Sequence, residues 1–161
     1  MPVLPFMSQI LGESQAYRRF AQQMTLRLPA DIDRESMIAT LSALFDHHDA
    51  LRARVGERDG SPVFEVLPPG AIDIGALIHT VELDDAIDDA ELTRIASAEL
   101  DAALGRLDPV APAMAQFVWF SFAGERRDVL LFAAHHFVID GVSWRVIIPD
   151  LALAWSQLAA G

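Results

Sequence analysis

The sequence predicts an α/β (α+β) sandwich: a mixed, largely antiparallel sheet with helices packed on one of its faces. Three observations predict it. Segments that alternate with period two and segments with a 3.6-residue apolar stripe follow one another along the chain. The two most apolar strand candidates, Ala115–Phe122 and 128–134, are joined by Ala123-Gly124-Glu125-Arg126, as in a hairpin. The 161 residues, 52% of them hydrophobic, suffice for one domain with a substantial core.

Taken in order, residues 1–19 open with a proline-bracketed entry and a short helix around 7–11. Residues 22–28 alternate, with Met24, Leu26 and Leu28 on one face, the pattern of a half-buried strand ended by Pro29. Asp31 or Asp33 caps the next helix, and Glu35 suits the positive end of its dipole. Met37, Ile38, Leu41, Leu44 and Phe45 give that helix one buried stripe. Strands follow over 52–55 and 63–67, with the turn signal Asp59-Gly60 between them. Residues 77–83 alternate as a further strand, and His79 reads as an ordinary surface histidine.

A long helix starts in the acidic run 84–89 and carries Leu92, Ile95, Ala96, Leu100, Ala103, Leu104 and Leu107 on one face, closed by Pro109 and Pro112. Its leading acids match the helix dipole and need no metal. The two apolar strands come next. Trp119, Phe120 and Phe122 are read as core, because that strand is apolar on both faces. The last helix carries Trp144, Ile147, Ile148, Leu151, Trp155 and Leu158 on one side. Proline is tolerated in the first turn and disruptive beyond it. Pro149 therefore predicts a regular helix from about Ile148, with 142–147 an irregular entry.

Formal net charge is -11 and the pI about 4.6, with twelve scattered Lys and Arg residues. Binding to phosphates needs clustered basic residues, so neither nucleic acid nor an anionic membrane is an expected partner. No cysteine is present, which excludes disulfides and thiolate chemistry and fits a cytoplasmic setting. No apolar run reaches the length of a membrane span, and the opening residues lack the basic start of a signal peptide. Mean hydropathy of +0.27 is high for a free-standing domain, as expected of a large core or of a surface meant for a partner.

Candidate chemistry concentrates in His135-His136-Phe137-Val138-Ile139-Asp140-Gly141, followed by Val142-Ser143-Trp144-Arg145. The run begins where the apolar strand 129–134 ends, so a rigid element aims the imidazoles. Histidine exchanges protons near neutrality. Glycine permits a tight turn or close approach of a ligand. The plain alternative is a pair of core histidines beside a loop aspartate. A second cluster, Asp46-His47-His48-Asp49-Ala50-Leu51-Arg52, ends the first long helix; its plain reading is a charged helix end leading to a strand.

The run HHFVIDGVSWR resembles the HHxxxDG signature of the condensation superfamily of nonribosomal peptide synthetases, and most closely its epimerization branch. HHDALR, from His47 to Arg52, resembles the second motif of that branch. Leu4, Pro5 and Gln9 align loosely with the opening motif, whose usual aromatic is absent. The resemblance implies a chloramphenicol-acetyltransferase-like fold, with residues 1–161 as the N-terminal lobe and the C-terminal lobe absent. It implies no directly bound cofactor. The substrate would be a thioester on the 4'-phosphopantetheine arm of a peptidyl carrier protein, entering a tunnel between the lobes.

The resemblance makes His136 the catalytic residue facing that tunnel. His135, Asp140, Gly141, Arg52 and Trp144 become supporting motif residues, and no metal is expected. Alternation at a strand end agrees that only one of the two histidines faces the tunnel. Asp140 is expected to pair with Arg52, since a buried carboxylate without a cation is costly. The implied reaction is inversion at the α-carbon of a carrier-bound aminoacyl or peptidyl thioester, with a glutamate of the second lobe on the opposite face. Peptide-bond formation by a condensation lobe is the alternative, as is a non-catalytic docking lobe.

Overall fold

The computed structural model describes residues 17, 19–30 and 32–160. The helix expected at 7–11, the loose match at Leu4, Pro5 and Gln9, and Asp31 lie outside the described residues.

Strand β1 (Ala21–Arg27) leads into helix α1 (Arg34–His47), which is capped by Asp33 accepting the Ser36 N–H at 2.7 Å. A 3-10 turn (Asp49–Arg52) then feeds the hairpin β2 (Ala53–Arg58) and β3 (Ser61–Val66). Asp59 and Gly60 have φ of 52° and 73°, the two positive values that a type I′ turn requires. A short helix α2 (Ile74–Leu77) precedes β4 (Ile78–Leu83), and the long helix α3 (Asp89–Arg106) follows. The chain closes with β5 (Ala115–Phe122), β6 (Val129–His135) and α4 (Trp144–Ala160).

The main sheet has the order β1-β6-β5-β4, antiparallel except where β4 runs parallel to β5. Its two central strands, β5 and β6, are buried on both faces. On one face Phe117, Trp119, Leu130, Phe132 and Ala134 meet Met37, Leu41, Leu44 and Phe45 of α1, and Trp144 and Ile147 of α4. On the other, Val118, Phe120, Phe122, Leu131 and Ala133 pack against Ala103 and the apolar stripe of α3. Helices thus cover both faces of the sheet, not one. The cause is the same two-sided apolarity of β5 that marked its aromatics as core, since each face of such a strand needs its own cover.

Helix α4 begins at Trp144, four residues before the position Pro149 led us to expect. Its first turn is tied back by Arg145 N–H to the Val142 carbonyl and Ile147 N–H to that of Ser143. Trp144 and Ile147 are buried, so packing holds the turn. Pro149 is exposed, and the carbonyl it leaves unpartnered belongs to exposed Arg145, where water can replace the missing donor.

Candidate functional site

The histidine loop leaves the end of β6 at the sheet's β1 edge. Ala21 lies opposite His135 in the register, and one step further His136 N–H donates to the Phe20 carbonyl at 2.7 Å. A small third core of Ala53, Val55, Phe64 and Met114 packs against Phe137, so the β2-β3 hairpin supports the loop from beneath.

His135 is wholly enclosed, at 0% exposure. Its Nδ1 accepts the Phe137 N–H at 3.1 Å, so its proton sits on Nε2, which donates to the Tyr17 carbonyl at 2.6 Å. Burial holds its pKa below the ordinary histidine value of 6.5, against the opposing pull of the Tyr17 carbonyl. The unfolded chain takes up a proton below about pH 6.5 and the folded chain does so only at its lower value. Stability from His135 is therefore complete above pH 6.5 and is lost as pH falls from there toward the lowered folded value. Urea melts of wild type and His135→Phe across this window should show the acid-side loss in wild type and a weaker one in the variant. Identical pH profiles would remove His135 as its source.

His136 is half-buried. Its ring stacks on Phe20 with centroids 4.6 Å apart and planes 18° apart. Its Nε2 lies 3.2 Å from Gln22 Nε2, and Gln22 Oε1 accepts from the Trp144 indole at 2.9 Å. Gln22 was not among the residues singled out from sequence. A signal was present: it continues inward the face that Met24, Leu26 and Leu28 define, and a polar residue there needs a partner.

Asp140 does not pair with Arg52. Its exposed carboxylate accepts the Ser143 N–H at 2.7 Å, the Val142 N–H at 3.0 Å and the Ser143 hydroxyl at 2.7 Å. These bonds, led by the Ser143 hydroxyl, hold its pKa below the ordinary 3.8, with His136 a minor contributor. Asp140 thus shapes the turn that starts α4.

Arg52 is 4% exposed and spends its guanidinium on the end of α1. It donates to the carbonyls of Phe45, Asp46 and Leu67 and to the Asp49 carboxylate at 2.6 Å. The expected pairing fails because a nearer acid, three residues away, and the unpartnered carbonyls of a helix terminus use up the cation. Gly141 is exposed, its φ is not positive, and a Cβ built there meets nothing within 4 Å. The turn itself does not require glycine. Trp144 is buried, edge-on to Phe132 at 5.1 Å.

Among the described residues, His47, His48 and Asp150 form a group of metal-like composition, with donor atoms within 4.8 Å of one another. Ligands sharing one zinc ion sit roughly 3.3 Å apart, given Zn–N of about 2.0–2.1 Å in a tetrahedron. The close pair, His48 Nε2 and Asp150 Oδ2 at 2.9 Å, clamps the end of α1 to α4. Among the described residues no helix is long and apolar enough to cross a membrane.

The condensation-domain family profile matches residues 5–161. The chain is 32% identical over 170 residues to one of the linear gramicidin synthase proteins of Brevibacillus parabrevis, a match that takes in 100% of the chain but 2% of that synthase. Its backbone superimposes on the epimerization domain from the third module of tyrocidine synthetase B with a TM-score of 0.77. That match has 21% identity and covers 99% of this chain and 34% of the other. The starter condensation domain of rhizomide synthetase gives the same TM-score of 0.77 at 16% identity, covering 99% of this chain and 38% of the other. The fold is therefore the chloramphenicol-acetyltransferase-like one, shared alike by epimerization and condensation domains.

Proposed function

Because this chain belongs to the condensation-domain family, we propose that it forms the N-terminal lobe of an epimerization domain in a nonribosomal peptide synthetase. Its substrate is an aminoacyl or peptidyl thioester carried on the phosphopantetheine arm of a peptidyl carrier protein. The observation that carries the reading is the unequal state of the two histidines. His135 has both ring nitrogens engaged inside the protein, whereas His136 is half-exposed at the strand end, with one ring face on Phe20. Of the pair, His136 is the one positioned to exchange protons with a bound molecule.

In this reading His136 removes the α-proton, the electron pair moves into the thioester carbonyl to give an enolate, and a proton returns from the opposite face. Inversion needs a group on each face. The second is expected from a C-terminal lobe, where the family resemblance implies a glutamate. The residues HHDALR and DGVSWR favour inversion over peptide-bond formation. In a condensation lobe the same imidazole would serve the attacking amine, with no opposite carboxylate.

Incubating the two-lobe domain with an L-aminoacyl carrier thioester alone, then hydrolysing and resolving the product, separates these. A mixture of D and L residues is expected. Retention of pure L, with a peptide bond forming only once a second carrier-bound amine is added, would transfer the assignment to condensation. Residues 1–161 alone should turn over neither substrate.

A further inference from the structure

We propose that Gln22 is a positioning residue which, itself oriented by Trp144, holds His136 in the tautomer whose Nε2 carries no proton, so that a substrate displacing the Gln22 contact meets a free lone pair. This rests on the reading of His136 as the proton-transfer group and adds the means by which it is made ready.

An indole N–H can only donate, so the Gln22 atom 2.9 Å from Trp144 Nε1 is the amide oxygen. That fixes the orientation of the amide, and its other end is an NH2 group that can only donate. The NH2 lies 3.2 Å from His136 Nε2. That nitrogen must therefore accept, and the ring proton sits on Nδ1.

Each link is anchored. Trp144 is buried against Phe132, Gln22 is carried by β1, and Phe20 fixes the plane of the imidazole. The contact to His136 is longer than the usual N–H bond of about 2.9–3.0 Å, so a substrate can displace it. His135 is held the other way, protonated at Nε2 and accepting at Nδ1. Two adjacent histidines are thus locked in opposite tautomers by opposite partners.

The test labels histidine with 15N in the two-lobe domain and reads which ring nitrogen is protonated from long-range proton–nitrogen correlations. In wild type His136 should carry its proton on Nδ1. Gln22→Glu should invert this, because a carboxylate accepts from both the indole and an Nε2–H. Gln22→Leu and Trp144→Phe should each give mixed tautomers, while the His135 signals stay unchanged and report an intact loop.

Turnover by Gln22→Glu should fall on the order of a hundredfold in kcat with KM within about twofold, since a base in the wrong tautomer binds substrate but cannot take the proton. An Nε2-protonated His136 in wild type, or a Gln22→Glu variant with unchanged tautomer and rate, would overturn the proposal. A fully active His136→Ala variant would instead overturn the proton-transfer reading. The two failures are distinct, because the tautomer is read without turnover.

Discussion

Replacing His136 with alanine should slow inversion by the two-lobe domain by a factor on the order of 10²–10⁴, the usual contribution of a general acid–base group. The fold should survive. The side chain is half-buried, and its losses are one aromatic stack and one long hydrogen bond, together about 1 kcal/mol. His135→Ala is the contrasting control. It opens a cavity at a fully enclosed site and strands the Tyr17 carbonyl and Phe137 N–H, so its activity loss should follow its loss of stability. Turnover by His136→Ala near the wild-type rate, in a protein that melts normally, would remove His136 from the chemistry.

Arg52→Ala should destabilise the fold strongly, at roughly 3 kcal/mol. The exposed Asp49 partner contributes little of this, its side chain being 78% accessible. The larger share comes from the carbonyls of Phe45, Asp46 and Leu67, which lose a charged donor where α1 meets the hairpin. Tm should fall by about 6–12 °C. Arg52→Lys should restore only part of it, since an ammonium cannot span the same fork of acceptors. Asp140 shares no partner with Arg52, so the effects of Asp140→Ala and Arg52→Ala should add in the double variant. A clearly sub-additive double variant would restore the ion pair expected from sequence.

That misplaced pair shows what periodicity and motifs can carry. Strand and helix positions were legible because they follow local rules. The alternation of Met24, Leu26 and Leu28, the stripe from Leu92 to Leu107, and the Asp59-Gly60 turn all stand where the pattern put them. The unequal burial of His135 and His136 follows the same rule, since a strand end aims neighbouring side chains apart.

Partnerships across the fold were not legible. Arg52 takes the acid nearest it in sequence, Asp49, but its three carbonyl partners exist only once α1 ends beside the hairpin. Gln22 meets His136 only because β1 pairs antiparallel with β6, and nothing in either segment states that register. Pro149 misled about α4 because a local propensity was outweighed by the burial of Trp144 and Ile147.

The measurement that bears most directly on the account is α-hydrogen exchange of a carrier-bound aminoacyl thioester in deuterated water, without an acceptor amine, by the two-lobe domain and its His136→Ala variant. Deuterium at the α-carbon, accompanied by inversion, is expected with wild type, and only background incorporation with the variant. Exchange by His136→Ala at the wild-type rate, or no exchange by a wild-type domain that still forms peptide bonds when an amine is supplied, would contradict it.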